Sequence, residues 1–391
     1  MRRIPYIPQA LCTTAGYLLV GLQLLWSCTG NGRTGYENGE KQSGPHTRYA
    51  SGFGVEQTGD LKLVHVFDPW QKSRNATFSY LLGKDPAQVP DSLRKIPFIE
   101  VPVRRVITLS TTHIAMIRSL DESGTIRGIS GADLMYDTAM IKRIRKEEVI
   151  DVGYDRTLNY ELIVSLQPDV LFLYGVEGNI REIADKLVEM GVPVVFCGDY
   201  LEEHPLGKAE WLKFFSLFFQ RESEADSLFQ RIDSSYRVLA AMTDSLAEKP
   251  SVLTGLPWKD AWYMAGGNSY AARLIKDAGG RYLWEDSKST EAIPLNIESV
   301  FSRAVRADVW INPGAATSLD DLIRFDERFR TLDVVGEGMV YNNNARLNPS
   351  GGNDYWESGA VRPDLILADL IKIFHPDLME DHSFIYYRKL K

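Results

Sequence analysis

Asn159-Tyr160-Glu161 begins a short amphipathic run that leads into Pro168-Asp169-Val170-Leu171-Phe172-Leu173. Asn296-Ile297-Glu298 begins a second run of the same kind, which leads into Ala307-Asp308-Val309-Trp310-Ile311. Each copy has an asparagine that can cap a helix, a glutamate in the first turn and an aspartate at the start of an apolar strand. Two equivalent units this far apart predict two lobes built on one plan. A cleft between two such lobes is a common place for a small molecule to bind.

The composition is that of a globular protein with two domains of ordinary size. The chain has 391 residues, of which 44% are hydrophobic and 25% are charged. Its net charge of −8 disfavours a nucleic-acid-binding protein, which would usually be basic. The three cysteines, Cys12, Cys28 and Cys197, are too few for a disulfide framework or a cysteine-based metal site.

The first residues have the pattern of an export signal. Arg2-Arg3 precedes the apolar residues 15–26, which are too few to span a bilayer and are typical of a signal peptide. The stretch ends in Leu25-Trp26-Ser27-Cys28, which resembles a bacterial lipoprotein motif, although Trp26 stands where a smaller residue is usual. We therefore expect a signal peptide over residues 1–27 and a lipid on Cys28. The alternatives are an ordinary secreted protein and a signal anchor with an incidental cysteine.

Two segments with different patterns follow the signal. Residues 28–60 contain eight glycines with scattered polar residues, and this composition predicts a flexible tether. Residues 61–101 begin with the alternating strand Leu61-Lys62-Leu63-Val64-His65-Val66 and predict a small lead-in β-meander.

The remaining chain has the pattern of an α/β protein. Strands that alternate with helices predict an N-terminal lobe over residues 102–206 and a C-terminal lobe over residues 249–391, each with a parallel sheet. The helical spacing of apolar residues over 207–248 predicts a linking helix with a break near Arg221. We therefore expect two Rossmann-like lobes joined by one long α-helix.

The order of these stretches resembles the class III solute-binding proteins of ABC importers for iron complexes and cobalamin, over about residues 100–380. The resemblance implies an extracytoplasmic, lipid-anchored monomer that is not an enzyme. Such a protein captures a ferric siderophore or haem and delivers it to a membrane permease with its ATPase. Cobalamin is the near alternative. The motifs that carry the resemblance are Arg105-Val106-Ile107-Thr108-Leu109-Ser110, Asn159-Tyr160-Glu161, Leu166-Gln167-Pro168-Asp169-Val170, Lys276-Asp277-Ala278-Gly279-Gly280, Leu295-Asn296-Ile297-Glu298, Tyr355-Trp356-Glu357 and Arg362-Pro363-Asp364-Leu365.

The resemblance also assigns a role to the two repeated glutamates. Glu161 and Glu298 match the residues that dock on arginines of the permease, where a carboxylate and a guanidinium make a charge-assisted pair. The alternative is that both are ordinary first-turn acids, which the helix dipole favours.

Ligand-binding residues are expected at the carboxyl ends of the strands, where α/β sheets present their loops. Aromatic side chains there would give broad contact to a flat ligand, and arginines would meet negative charge. Ordinary interior packing is the alternative for Trp258 and Trp356. The expected cleft residues are Thr112, His113, Asp133, Tyr136, Tyr154, Arg156, Tyr174, Trp258, Trp262, Asn344, Arg346, Tyr355 and Trp356.

The histidines are not spaced as metal ligands, so we expect a metal to arrive already chelated and no resident cofactor. His113 is the one candidate for an axial ligand to haem or cobalamin, and the alternative is that it caps or packs. Motifs of serine hydrolases, P-loop enzymes and dinucleotide-binding enzymes are absent from the sequence. Two other classes stay open, namely a tetrapyrrole metal chelatase and a surface adhesin or binding lipoprotein without a permease.

Overall fold

The computed structural model describes residues 47–73, 75–154, 157–175 and 180–391, all of which lie in one compact unit. The predicted signal peptide and Cys28 lie outside the described residues. In the described part of the chain, no helix combines the length and the apolar character needed to cross a bilayer.

A small sheet precedes the first lobe. Its strands are β1 (Phe53–Thr58), β2 (Leu61–Phe67), β3 (Thr77–Gly83) and β4 (Phe98–Glu100), in that order. The first three pair antiparallel, and β4 runs parallel to β3. The alternation of β2 puts Val64 and Val66 in the core and leaves the residues between them half-exposed. The sheet begins eight residues before the predicted meander, and its parallel fourth strand departs from a simple meander.

Two buried carboxylates hold the chain that enters the lead-in sheet. Glu210 accepts the backbone N–H groups of Arg48, Tyr49 and Ala50 at 2.8–3.0 Å. Glu202 accepts the backbone N–H groups of Ser51 and Gly52 at 2.9–3.0 Å. The prediction of a flexible tether up to residue 60 is therefore wrong for residues 48–60, because two distant carboxylates hold residues 48–52 and β1 pairs with β2.

The first lobe contains a five-stranded sheet whose strands are all parallel. Its three central strands are almost wholly apolar and buried, as expected for a sheet covered by helices on both faces. In spatial order the strands are β7 (Ile150–Asp151), β6 (Ile126–Ile129), β5 (Val106–Thr108), β8 (Val170–Leu173) and β9 (Val194–Phe196). The helices are α1 (Thr111–Ser119), α2 (Thr138–Arg145), α3 (Tyr160–Ser165) and α4 (Ile180–Glu189).

The linking segment consists of two helices. Helix α5 (Pro205–Phe219) is buried along most of its length and belongs to the core of the first lobe. Gln220 then adopts a left-handed conformation that ends it, near the predicted break. Helix α6 (Glu222–Thr243) is about 33 Å long at 1.5 Å per residue and packs on both lobes. The long connecting helix is thus α6 alone.

The second lobe repeats the plan with one five-stranded sheet and one three-stranded sheet. In spatial order the larger has β13 (Arg281–Tyr282), β10 (Ser251–Thr254), β15 (Val309–Ile311), β16 (Val340–Asn342) and the antiparallel β17 (Arg388–Lys389). The smaller has β11 (Pro257–Trp258), β12 (Ala261–Met264) and β14 (Ile293–Leu295). The helices are α7 (Tyr270–Asp277), α8 (Ile297–Ala304), α9 (Leu319–Phe325), α10 (Asp333–Gly336), α11 (Ser358–Val361) and α12 (Pro363–Phe374).

Equivalent residues in the two copies of the sequence repeat make equivalent contacts. The Asn159 side chain caps α3, and the Asn296 side chain caps α8. Asp169 accepts the backbone N–H of Arg105 at 2.9 Å, and Asp308 accepts that of Ser251 at 2.6 Å. Each aspartate therefore ties the start of its strand to the start of the neighbouring parallel strand.

Most buried apolar side chains of the described residues form one continuous cluster. It includes Val64 of the lead-in sheet, Phe172 of the first lobe, Phe218 of α5 and Trp310 of the second lobe. The lobes therefore share an interior instead of meeting only at their surfaces.

Candidate functional site: the cleft between the lobes

Residues of the two lobes line a shared cavity and bond to each other, and open α/β sheets bind ligands at the carboxyl ends of their strands. At one end the lobes are tied together directly. Thr112 donates its hydroxyl to the carbonyl of Trp356 at 3.0 Å. The Asn348 side chain donates to the carbonyl of Met135. These contacts close one end of the cleft.

Glu357 is the charged group at that closed end. Its side chain is fully buried, and one oxygen accepts the backbone N–H of Tyr136 from the other lobe at 2.8 Å. The second oxygen has no hydrogen-bond partner among the described residues and lies 3.6 Å from the guanidinium of Arg118. Burial, with the nearby charges of Asp354 and Asp137, raises the pKa of Glu357 to about 7.

Tyr136 and Arg346, both predicted cleft residues, meet across the lobes. The guanidinium of Arg346 lies 5.3 Å from the centre of the Tyr136 ring, a cation–π distance. Arg346 also pairs with the buried Asp354 at 2.9 Å. Its charge is therefore already compensated by the protein, and we expect little of it to be available to an anionic ligand.

A row of tyrosines follows the strand ends of the first lobe. Tyr154 follows β7, and its phenol interacts with that of Tyr174, which follows β8. Tyr200 follows β9, and its hydroxyl donates to the carbonyl of Gly175 at 2.7 Å. Tyr154 and Tyr174 were predicted as cleft residues, whereas Tyr200 was not. Tyr154 is 54% exposed and is the most accessible of the three.

His113 lies beneath this row and is fully buried. Its Nε2 is 3.0 Å from Asp199, and its ring packs edge-on against Tyr174. Although burial alone would raise the pKa of Asp199, the hydrogen bond and charge of His113, together with Lys208, hold it below its usual value. His113 is thus a packed residue that orients Asp199, in keeping with the expectation that it caps or packs, and its prediction as a cleft-lining residue is corrected.

The other end of the cleft opens into a cavity of about 680 Å³. The first lobe contributes Tyr200 and Glu203, and the second lobe contributes Ser269, Tyr270 and Glu291. Burial, with the charges of Asp199 and of Glu291 across the cavity, raises the pKa of Tyr200 to about 12. The lead-in sheet supplies a third wall, whose residues include Ser51, Gly52, Phe67, Trp70, Gln71 and Lys72.

Three predicted cleft residues are core residues instead. Trp262 is fully buried and donates its indole N–H to the carbonyl of Thr254. Asn344 is buried and donates to the carbonyl of Ala316. Tyr355 is buried against other tyrosines, and this burial raises its pKa to about 12. These three expectations are corrected because the fold uses each side chain for internal packing or hydrogen bonding.

The remaining predicted cleft residues are exposed or lie outside the description. Trp258 is 65% exposed on the smaller sheet, and Trp356 is 56% exposed with its ring 4.7 Å from Tyr355. Asp133 is exposed in the turn that follows β6. Arg156 lies outside the described residues.

The two predicted docking glutamates occupy equivalent places on the two lobes. Glu161 and Glu298 are both exposed in the first turn of a short helix that an asparagine caps. Glu298 pairs with Arg328 at 3.3 Å. Both side chains are therefore accessible to a partner protein.

Among the described residues, no group of three or more His, Cys, Asp or Glu side chains is arranged to hold a metal ion. The residues that the sequence reasoning missed are Trp70, Tyr200, Glu203 and Glu291. Tyr200 and Glu203 follow a predicted strand and could have been found by that rule. Trp70 lies in the lead-in segment, and nothing local in the sequence placed it against Phe196 at the end of β9.

Comparisons with known proteins agree with this geometry. A family model described as periplasmic binding protein matches residues 106–345. An uncharacterized lipoprotein of Methanocaldococcus jannaschii is 29% identical over 303 residues, 74% of this chain and 70% of that protein. A possible iron-binding, periplasmic solute-binding protein from Staphylococcus epidermidis has a TM-score of 0.55 at 18% identity, covering 70% of this chain and 98% of that chain. A periplasmic heme-binding protein from Roseiflexus has a TM-score of 0.53 at 20% identity, with the same coverage. The predicted two-lobe α/β fold is confirmed.

Proposed function

Because the chain belongs to the periplasmic binding protein family, we propose that it is the extracytoplasmic solute-binding component of an ABC importer. Proteins of this family bind substrates and hand them to a permease and its ATPase, so the role is one of binding and not of catalysis. The observation that carries the proposal is the cavity lined by residues of both α/β lobes, together with the hydrogen bonds that join the two lobes. Glu161 and Glu298, exposed on equivalent helices, serve as the permease contacts.

The ligand we propose is an iron complex, either a ferric siderophore or haem. Solved structures with this fold include proteins described as iron-binding and as heme-binding. The tyrosine row and the aromatic cavity wall provide broad contact surfaces for a bulky complex. The metal arrives prechelated, so the protein itself holds no resident cofactor.

Cobalamin is the second candidate, and the charge of the cavity favours it over anionic complexes. Arg346, the described cleft arginine predicted to meet negative charge, is already paired with Asp354. Glu203 and Glu291 place negative charge on two sides of the cavity. A neutral corrinoid that carries amides meets less repulsion there than porphyrin propionates or a tricatecholate complex.

We propose attachment to a membrane through a lipid on Cys28, on the outer side of the cytoplasmic membrane or at the cell surface. The curated relatives described as lipoproteins support this placement. The protein acts as a monomer, because its cleft is built from one chain.

The decisive experiment is to purify the protein from its native host and record the visible spectrum and mass of the bound molecule. A Soret band identifies haem, a corrin spectrum identifies cobalamin, and a broad charge-transfer band identifies a ferric siderophore. Apo protein is then titrated with each class and followed by tryptophan fluorescence. If the protein binds none of the three classes, the proposal is rejected.

A further inference from the structure

The cavity at the open end of the cleft has a third wall besides those that the two lobes supply. Its first two walls come from the lobes, within or close to the matched residues 106–345. The third wall comes from residues 51–52 and 67–73, which precede the matched region.

The third wall is held in place from both sides. Glu202 fixes Ser51 and Gly52 and also accepts the indole N–H of Trp211 at 2.9 Å. The loop between β2 and β3 is closed by Asp68, whose carboxylate and backbone N–H both bond to Ala76. A fixed wall can contact a ligand without first paying the entropy of ordering a loop.

Trp70 anchors this loop to the first lobe. Its ring lies 5.3 Å from Phe196 at the end of β9 and 5.4 Å from Phe78 of β3. The ring is only half-buried by these contacts, and its remaining surface lines the cavity. An indole face that borders a cavity attracts both flat apolar groups and cations.

The charges around the cavity are mostly negative. The described lining carries four carboxylates and one ammonium group, that of Lys72. Glu202 is saturated by hydrogen bonds from the protein, and Asp68 is used by its loop. Glu203 of the first lobe and Glu291 of the second are exposed and form no ion pair with a described residue. These two carboxylates remain available to a ligand.

We propose that this three-walled cavity binds a positively charged side group of the imported complex. Glu203 and Glu291 supply the compensating charge, and Trp70 supplies the aromatic surface. The inference rests on the proposed function and names the ligand class of that same cleft, a metal complex that carries an ammonium group. The cavity thereby selects against anionic complexes of similar size, because like charges repel.

The test uses two ferric trihydroxamates that differ at one terminal amine, which is charged in the first and acetylated in the second. Ferrioxamine B has a free terminal ammonium, and N-acetylferrioxamine B has the same iron coordination without it. We expect the wild-type protein to bind the first about tenfold more tightly at low salt, from one ion pair plus one cation–π contact. The preference should shrink in high salt because exposed charges are screened.

Variants assign the preference to the cavity. Glu203→Gln combined with Glu291→Gln should remove most of the preference for the charged complex while leaving the affinity for the acetylated complex unchanged. Trp70→Ala should weaken the binding of both complexes. The matched control is Glu182→Gln combined with Glu189→Gln, which removes the same charge from exposed positions on α4 and should keep the preference.

The outcomes separate this inference from the proposed function. Equal affinity for the two complexes, a preference that survives in the cavity variant, or binding confined to uncharged or anionic complexes overturns the inference alone. If ferric hydroxamates, haem and cobalamin all fail to bind, the proposed function falls and the inference falls with it.

Discussion

The carboxylate of Glu210 accepts the backbone N–H of Ala50 at 2.9 Å, at a place where both residues are buried. The same carboxylate accepts the N–H groups of Arg48 and Tyr49 and pairs with Lys213 at 3.1 Å. One buried anion on α5 therefore satisfies three successive backbone donors of a segment 160 residues away. This contact fixes the start of the lead-in sheet on the first lobe.

Replacing Glu210 should destabilise the whole protein. Glu210→Gln keeps the size of the side chain but turns one acceptor oxygen into a donor that faces backbone N–H groups. We expect a loss of about 3 kcal/mol in the free energy of unfolding, measured by urea denaturation. Glu224→Gln is the control, because Glu224 is exposed and its side-chain partners among the described residues are Arg221 and Ser223. A similar loss in both variants would contradict the anchoring role.

The stability of the protein should fall as the pH rises from about 4.5 to about 7 through the titration of Glu357. Its pKa is about 7 in the folded protein and 4.5 ordinarily, so the folded chain holds a proton that the unfolded chain releases. The contribution is fully present below the lower value and is lost above the upper one. It amounts to about 3 kcal/mol by the conversion of a pKa difference into free energy.

Glu357→Gln separates this effect from the titration of other groups. The amide cannot ionise, so the variant should lose this part of the pH dependence and be more stable than the wild type at pH 8. Urea denaturation at several pH values measures both. If the free energies of unfolding of wild type and variant change in parallel from pH 4.5 to pH 8, the assignment to Glu357 is wrong.

Replacing two tryptophans that are close in sequence should change the stability of the protein by very different amounts. Trp262→Ala empties a fully buried site in contact with Trp310 and Phe329, and should cost about 4 kcal/mol of stability. Trp258→Ala removes a side chain that is 65% exposed and should change stability by less than about 1 kcal/mol. Thermal denaturation of the pair checks this, and comparable losses would refute the placement of Trp262 in the core.

Removing the repeated glutamates should uncouple uptake from binding. Glu161→Ala and Glu298→Ala take away exposed carboxylates that line neither the described cavity nor the closed end of the cleft. We expect ligand affinity within about twofold of wild type, since surface changes of this kind have small effects. Transport in whole cells should fall, most in the double variant. A fall in affinity instead would place the two residues at the ligand.

The sequence predicted those parts of the structure that local patterns determine. The apolar strands Val170–Leu173 and Val309–Ile311, the caps Asn159 and Asn296, and the break after Phe219 all follow from neighbours within a few residues. The segment that leads into the strand Phe53–Thr58 was predicted as a tether because its partners Glu202 and Glu210 lie more than 140 residues away, whereas the strand itself pairs with its neighbour β2.

The errors at the candidate site have the same cause. Trp262 and Met264 point to one face of β12 and Tyr263 to the other, as strand alternation requires. Which face meets the core is decided by the pairing of β12 with β14, about thirty residues later in the chain. The contribution of Trp70 to the cavity depends on how a whole sheet packs beside β9. Short-range patterns carry no signal for either arrangement.

The shared interior of the lobes determines how the protein unfolds. Because a single apolar cluster runs from Val64 through Phe218 to Trp310, separating the two halves would expose buried apolar surface on both. Calorimetry should show one cooperative melting event instead of two, and a protease cut between the halves should leave no stable fragment. Damage to either half thus becomes damage to the entire carrier, which a cell can recognise and remove as one unit.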